Sequence, residues 1–136
     1  MSANWNCSYT LDTSYVKKIQ RQWKRERGNI YTILAYLRMQ VSKAETSEIT
    51  ESLKYDIANT RAEFLSYNRY YSRHYPEKDY RENQPIIFNY APEDMEILKE
   101  ISKEMAGINK EADILYQKFR ILCYDQNIST PIIDYY

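Results

Sequence analysis

The sequence predicts an all-α protein: a basic N-terminal helical arm, built as helix-turn-helix, followed by a helical bundle with a long heptad-like C-terminal helix. Three observations predict it. Gly28 and Gly107 are the only glycines in 136 residues, and neither Asn-Gly nor Asp-Gly occurs, so tight hairpins lack the residues that adopt positive φ. Leu98, Ile101, Met105, Ile108, Ala112, Leu115, Phe119 and Leu122 step by three and four without a break, the period of one buried helical stripe. Charge is also unevenly placed along the chain. Met1–Lys43 holds eight Lys/Arg against two Asp/Glu, while the formal net charge of the whole is zero. Residues 1–43 are accordingly expected to form a cationic, nucleic-acid-facing arm, and residues 44–136 an acidic bundle body with an apolar C-terminal tail.

The elements follow in order. The first dozen residues have no period and read as an extended tail. Asp12, Thr13 and Ser14 are N-cap candidates for a helix over about 15–27, with Val16, Ile19 and Trp23 as its narrow apolar stripe. Gly28-Asn29 interrupts that pattern and predicts a hinge, after which Ile30–Gln40 forms a second helix. This run is apolar around most of its circumference and is expected to be covered on several sides. Ser42-Lys43-Ala44-Glu45 has capping-box spacing, and Ser47 offers a second start. Ile49, Leu53, Ile57, Thr60, Phe64, Tyr67 and Tyr71 then mark an amphipathic helix with one polar position in its stripe.

Pro76, Pro85 and Pro92 bracket a non-helical connection in which Ile86-Ile87-Phe88 predicts a short extended segment. Pro92 suits the first turn of the last helix, and Glu93, Asp94 and Glu96 suit the positive end of its dipole. To about Tyr124 that helix is roughly 50 Å long at 1.5 Å per residue. The segment Pro131–Tyr136 is apolar and is expected to dock on the body or on a neighbour.

Several function classes lack their residues. Two glycines cannot build a phosphate-cradling loop. His74 is the single histidine, with no Glu three positions before it, and two cysteines, Cys7 and Cys123, make no metal pattern. Acidic residues at helical spacing, such as Glu93, Glu96 and Glu100, are interleaved with Lys99 and Lys103, which reads as a solvated face. The expectation is therefore a protein that is not an enzyme and takes no cofactor or metal. The N-terminal residues lack the pattern of a secretory signal, which suggests an intracellular product. Fifteen tyrosines against three phenylalanines suit an interface-rich protein. An AT-rich coding sequence explains them equally well.

The chemistry concentrates in Lys17-Lys18-Ile19-Gln20-Arg21-Gln22-Trp23-Lys24-Arg25-Glu26-Arg27, six cations and one acid. A merely solvated face mixes signs, and this one does not. A basic membrane-surface or calmodulin-type helix wants a wider apolar face than Val16, Ile19 and Trp23 supply. Phosphate-backbone binding needs many cations and no base-reading code. It makes Lys17, Lys18, Arg21, Lys24, Arg25, Arg27, Arg38 and Lys43 the candidate nucleic-acid contacts, with Gly28 and Asn29 as the hinge between arm helices.

A basic helical arm broken by a turn, ahead of a helical body, in a Gly-poor chain rich in Ile, Lys, Glu and Tyr, resembles the major coat (capsid) proteins of filamentous archaeal viruses. These form the rod-shaped or enveloped filaments that infect hyperthermophiles. The resemblance implies a virion structural protein whose arm clamps double-stranded DNA, held in A-form, beside identical or homologous coat subunits in a helical array. The alternative is a non-enzymatic helical accessory or scaffold subunit of a large complex. Its basic arm would dock on an acidic protein surface or on membrane headgroups.

Overall fold

A computed structural model describes residues 8–9, 13–72, 87–88 and 91–131. The described residues form an all-helical, compact bundle of three helices, α1 (Thr13–Thr46), α2 (Glu51–Ser72) and α3 (Pro92–Asp125). One small pairing accompanies them: β1 (Ser8–Tyr9) runs parallel to β2 (Ile87–Phe88), with Ser8 opposite Ile87 and Tyr9 opposite Phe88. The extended segment expected near Ile86-Ile87-Phe88 is thus present as β2. The rest of that connection, Cys7 and the apolar tail beyond Pro131 lie outside the described residues.

Helix α1 corrects the expected arm. It runs unbroken for 34 residues through Gly28 and Asn29, and neither residue has a positive φ. The reason is that the apolar stripe stays in phase across the dipeptide. Val16, Ile19, Trp23, Ile30, Leu34, Leu37, Val41 and Ala44 are all buried in one seam. A mid-helix glycine costs about 1 kcal/mol, whereas each large apolar side chain in that seam contributes roughly 1.5–3 kcal/mol on burial. Packing wins, and α1 is a wall of the core rather than an arm attached to it. No structural boundary falls at Lys43.

The Ser42 capping box is also overruled. Ser42 lies inside α1, whose last turn closes with the Ser47 N–H donating to the Lys43 carbonyl at 2.9 Å. The cap of α2 is instead Thr50, whose Oγ1 accepts from the Leu53 N–H at 3.1 Å. Helix α2 buries Leu53, Ile57, Thr60, Phe64 and Tyr71 along the expected stripe, with Tyr67 partly buried beside them, and Ile49 is buried in the turn just before it. Thr60 fits because its hydroxyl donates back to the Asp56 carbonyl at 2.8 Å.

Helix α3 starts and stops where the sequence indicates. Pro92 opens it after an extended Ala91. It closes at Asn127, in the left-handed region at φ 58°. There the Ile128 N–H donates to the Cys123 carbonyl at 2.8 Å and the Asn127 N–H to the Tyr124 carbonyl at 3.1 Å, the two bonds of a Schellman cap. Its buried seam follows the heptad to Ala112 and then drifts to Tyr116, Phe119 and Cys123, leaving Leu115 and Leu122 at the margin. A straight helix of 3.6 residues per turn slips about 20° per heptad against a strict 3.5 repeat, and the drift has that direction.

Buried cations tie α2 to α3 and to the segment that follows it. Arg61, 5% exposed, donates to Asn109 Oδ1 at 3.1 Å and Asp113 Oδ1 at 3.0 Å. Lys54 Nζ reaches the Ser129 carbonyl at 2.6 Å and Glu51 at 2.8 Å. Helices α1 and α3 run the same way, held in register by Arg27–Glu104, Arg38–Glu111 and Lys118–Glu45.

Candidate nucleic-acid interface

The seam that buries α1 decides which of its cations face solvent. At 100° per residue, Arg21 lies opposite the Ile19/Trp23/Ile30 seam. Lys17, Lys18, Lys24 and Arg25 flank it within an arc of about 120°. All five are exposed, and among the described residues none of them enters an ion pair. They occupy about 12 Å of helix axis, over which duplex DNA presents a phosphate every 1.7 Å or so. One cation per roughly 2.4 Å is a comparable density.

The one acid of the basic run is turned away from this face. Glu26 Oε2 accepts the Tyr71 hydroxyl at 2.7 Å, and its Oε1 accepts the Gln22 amide at 3.1 Å. Gln22 Oε1 in turn accepts the Tyr70 hydroxyl at 2.9 Å. Trp23 and Tyr70 both meet the Tyr71 ring edge-on, at centroid distances of 4.9 Å. Burial, and then the bond to Glu26, push the Tyr71 phenol far above the ordinary tyrosine range, so it stays a donor. This network is the part of the site that sequence reading missed. It joins residues 45 to 48 positions apart, and the only local trace is the Tyr70-Tyr71 pair at the end of the α2 stripe.

The other candidate contacts are placed differently. Arg27 and Arg38 sit on the flank facing α3. Arg27 Nε donates to Glu104 at 2.6 Å and its guanidinium lies 5.2 Å from the Tyr31 ring centroid. Tyr31 donates to the same carboxylate at 2.8 Å, and burial followed by that bond raises its phenol pKa. Arg38 Nε donates to Glu111 at 2.5 Å, which raises the guanidinium pKa. Lys43 is exposed on the outer side, but about 27 Å along the helix from Arg25. Five of the eight named cations therefore form one face, two serve inter-helix pairs, and one stands apart. Gly28 and Asn29, expected as a hinge, are exposed helical residues beyond the end of the cationic patch.

Other chemistries find little here. Val16, Ile19 and Trp23 are at most 5% exposed, so the apolar face that a membrane-surface helix would insert is committed to the core. No helix among the described residues is long and apolar enough to cross a membrane. Among the same residues no cluster of three His, Cys, Asp or Glu side chains is placed to hold a metal. Cys123 is a free, fully buried thiol, and burial pushes its pKa up, which opposes nucleophilic use. An open groove between α1 and α3 is lined by Tyr31, Glu100, Glu104 and Glu111 among others. Its charged lining is these three carboxylates and Lys103, and on α1 Tyr31 lies two turns on from Lys24, at the edge of the cationic arc.

Comparison of the chain with protein-family models, with curated protein sequences and with solved structures finds no match in any of the three.

Proposed function

We propose that this chain is a structural coat subunit that binds double-stranded DNA non-specifically through its phosphates and polymerises into a helical filament. The observation that carries the reading is the unmixed cationic face of α1. Five exposed Lys/Arg stand within one arc, while the only acid of the segment, Glu26, is tied inward to Tyr71. A face that served solubility alone would gain nothing from segregating its acid. Phosphate binding does gain, because a carboxylate among the cations would repel the backbone.

In this reading the N-terminal segment up to Lys43 is the nucleic-acid-facing part, although it belongs to the bundle. The duplex, A-form by the resemblance to filamentous archaeal virus coats, is met from one side by each subunit, and the array supplies the rest of the cover. A virion is the corresponding location.

A salt titration of duplex binding tests the proposal. Five phosphate contacts give a slope of log K against log salt of about −4.5, at roughly −0.9 per contact. Raising salt from 50 to 200 mM then weakens binding by nearly three decades, roughly, by the same rule. Affinity should be nearly independent of base sequence, since contacts to phosphates carry no sequence information. If the chain instead docks on an acidic protein surface, duplex binding near physiological salt will not be measurable.

A further inference from the structure

Helix α2 has a second covered row beside the one that faces the core. Leu53, Ile57, Thr60 and Phe64 form the core row. Lys54, Ala58, Arg61 and Leu65 each stand one position later, about 100° further round the helix. Lys54 and Arg61 are 5% exposed and Ala58 is 2% exposed, although Ala58 is not a member of the core cluster. Leu65, and Ala62 beside it, are only partly buried.

The chain that follows α3 covers one end of this row. After the turn at Asn127 it comes back beside the helix, since Ile128, Ser129 and Thr130 border one groove with Gln117, Arg120, Ile121 and Tyr124. There the Ser129 carbonyl accepts from Lys54 Nζ at 2.6 Å. Arg61, about two turns along α2 from Lys54, bonds Asn109 and Asp113. Advance along α2 is therefore return along α3, and the segment runs from Lys54 towards Leu65. At about 3.3 Å per extended residue, Pro131 comes level with Ala58. Ala62 and Leu65 lie directly ahead of it.

We propose that residues 132–136, Ile-Ile-Asp-Tyr-Tyr, continue along this row and dock on Ala62 and Leu65 as a strap over the α2–α3 groove of their own chain. The length suffices. Five extended residues reach about 17 Å, and Ala58 to Leu65 is about 10 Å of helix axis. The residue types fit as well. An extended chain turns alternate side chains to one side, so Ile133 and Tyr135 face the row while Asp134 faces water. A segment tethered this close has an effective concentration on the order of millimolar, which favours its own groove over that of a second copy. The strap leaves the cationic face of α1 free and does not depend on the proposed function.

A double-mutant cycle in the whole chain, read as urea midpoints, tests it. Ile133→Asp and Leu65→Asp should each lower the midpoint. Together they should lower it by less than the sum of the two shifts, because either one removes the same contact. Ala62→Asp should couple to Ile133→Asp in the same way, and it carries the test if Leu65→Asp does not fold. Ile121→Asp, on the outer side of α3, should add to Ile133→Asp in full. Additive shifts at both Leu65 and Ala62 overturn the strap, and so does coupling of Ile133 to Ile121, which would seat these residues on α3 instead. Midpoints that rise with protein concentration, together with dimers in sedimentation velocity that Ile133→Asp abolishes, would give the contact to a second copy and overturn it too.

Discussion

At the scale of single residues, two buried polar groups set the terms. Gln40 is 3% exposed, and neither its amide nitrogen nor its oxygen finds a partner among the described residues. A buried amide left unpaired costs about 1–3 kcal/mol. Gln40→Met keeps the shape and removes the polar atoms, so it should stabilise the chain by up to that amount, read as a higher urea midpoint. Tyr71 is the opposite case, a buried polar atom fully used. Its pKa is raised in the folded state by burial and by the bond to Glu26. The unfolded chain therefore loses this proton first, near pH 10. The associated stability is complete below about pH 10 and is lost as pH rises beyond it. Tyr67 and Tyr31 shift in the same direction, each chiefly through burial. Tyr71→Phe should cost roughly 1–3 kcal/mol at neutral pH and make the alkaline decline shallower. An unchanged slope between pH 9 and 11 would show that the Tyr71–Glu26 bond does not persist in solution.

At the scale of elements, α1 is the informative one. A turn at Gly28 would need backbone freedom that an alanine lacks. A continuous helix would profit from the alanine. A Cβ built at Gly28 meets nothing within 4 Å, and its carbonyl already accepts the Thr32 hydroxyl at 3.0 Å, one helical turn on. Gly28→Ala should therefore stabilise the chain by about 0.5–1 kcal/mol, measured by thermal or urea unfolding. Loss of stability, or loss of duplex binding in this variant, would restore the hinge. The expectation that Ile30–Gln40 is covered on several sides is corrected on the same helix. Ile30, Leu34 and Leu37 are buried, but Tyr31, Tyr36 and Met39 are 39–59% exposed, because among the described residues α1 packs against two helices and not three.

For the whole molecule, the cationic face and the core are separable. Replacing Arg21, Lys24 and Arg25 together by Ala touches no buried side chain and no ion pair among the described residues. Stability should shift by no more than about 0.5 kcal/mol per site, while the salt slope of duplex binding should flatten by about 2.7, three contacts' worth. Adding Arg27→Ala should flatten it little further, since that guanidinium is held by Glu104. It should instead loosen the register between α1 and α3. Ion pairs as exposed as these contribute at most about 1 kcal/mol each, so their role is alignment more than stability.

The sequence by itself determined the helical class, the stripe of α2, the ends of α3 and the existence of a cationic cluster. Each is a local property: the scarcity of glycine, a 3–4 spacing, Pro92 at one end, and six bases in eleven residues. Tertiary structure decided the rest. The Gly28-Asn29 break vanished because a local penalty near 1 kcal/mol competes with a seam of eight buried side chains. The Ser42 cap gave way to Thr50 for the same reason, since Val41 and Ala44 carry that seam onward. Which cations remain available was likewise not a local matter. Arg27 and Arg38 are drawn to carboxylates 77 and 73 positions away, and Glu26 to a tyrosine 45 positions away. Periodicity in a sequence says which face of a helix is buried, but only the packed neighbours say what stands beside its flanks. The clean cationic face of α1 is a product of those neighbours.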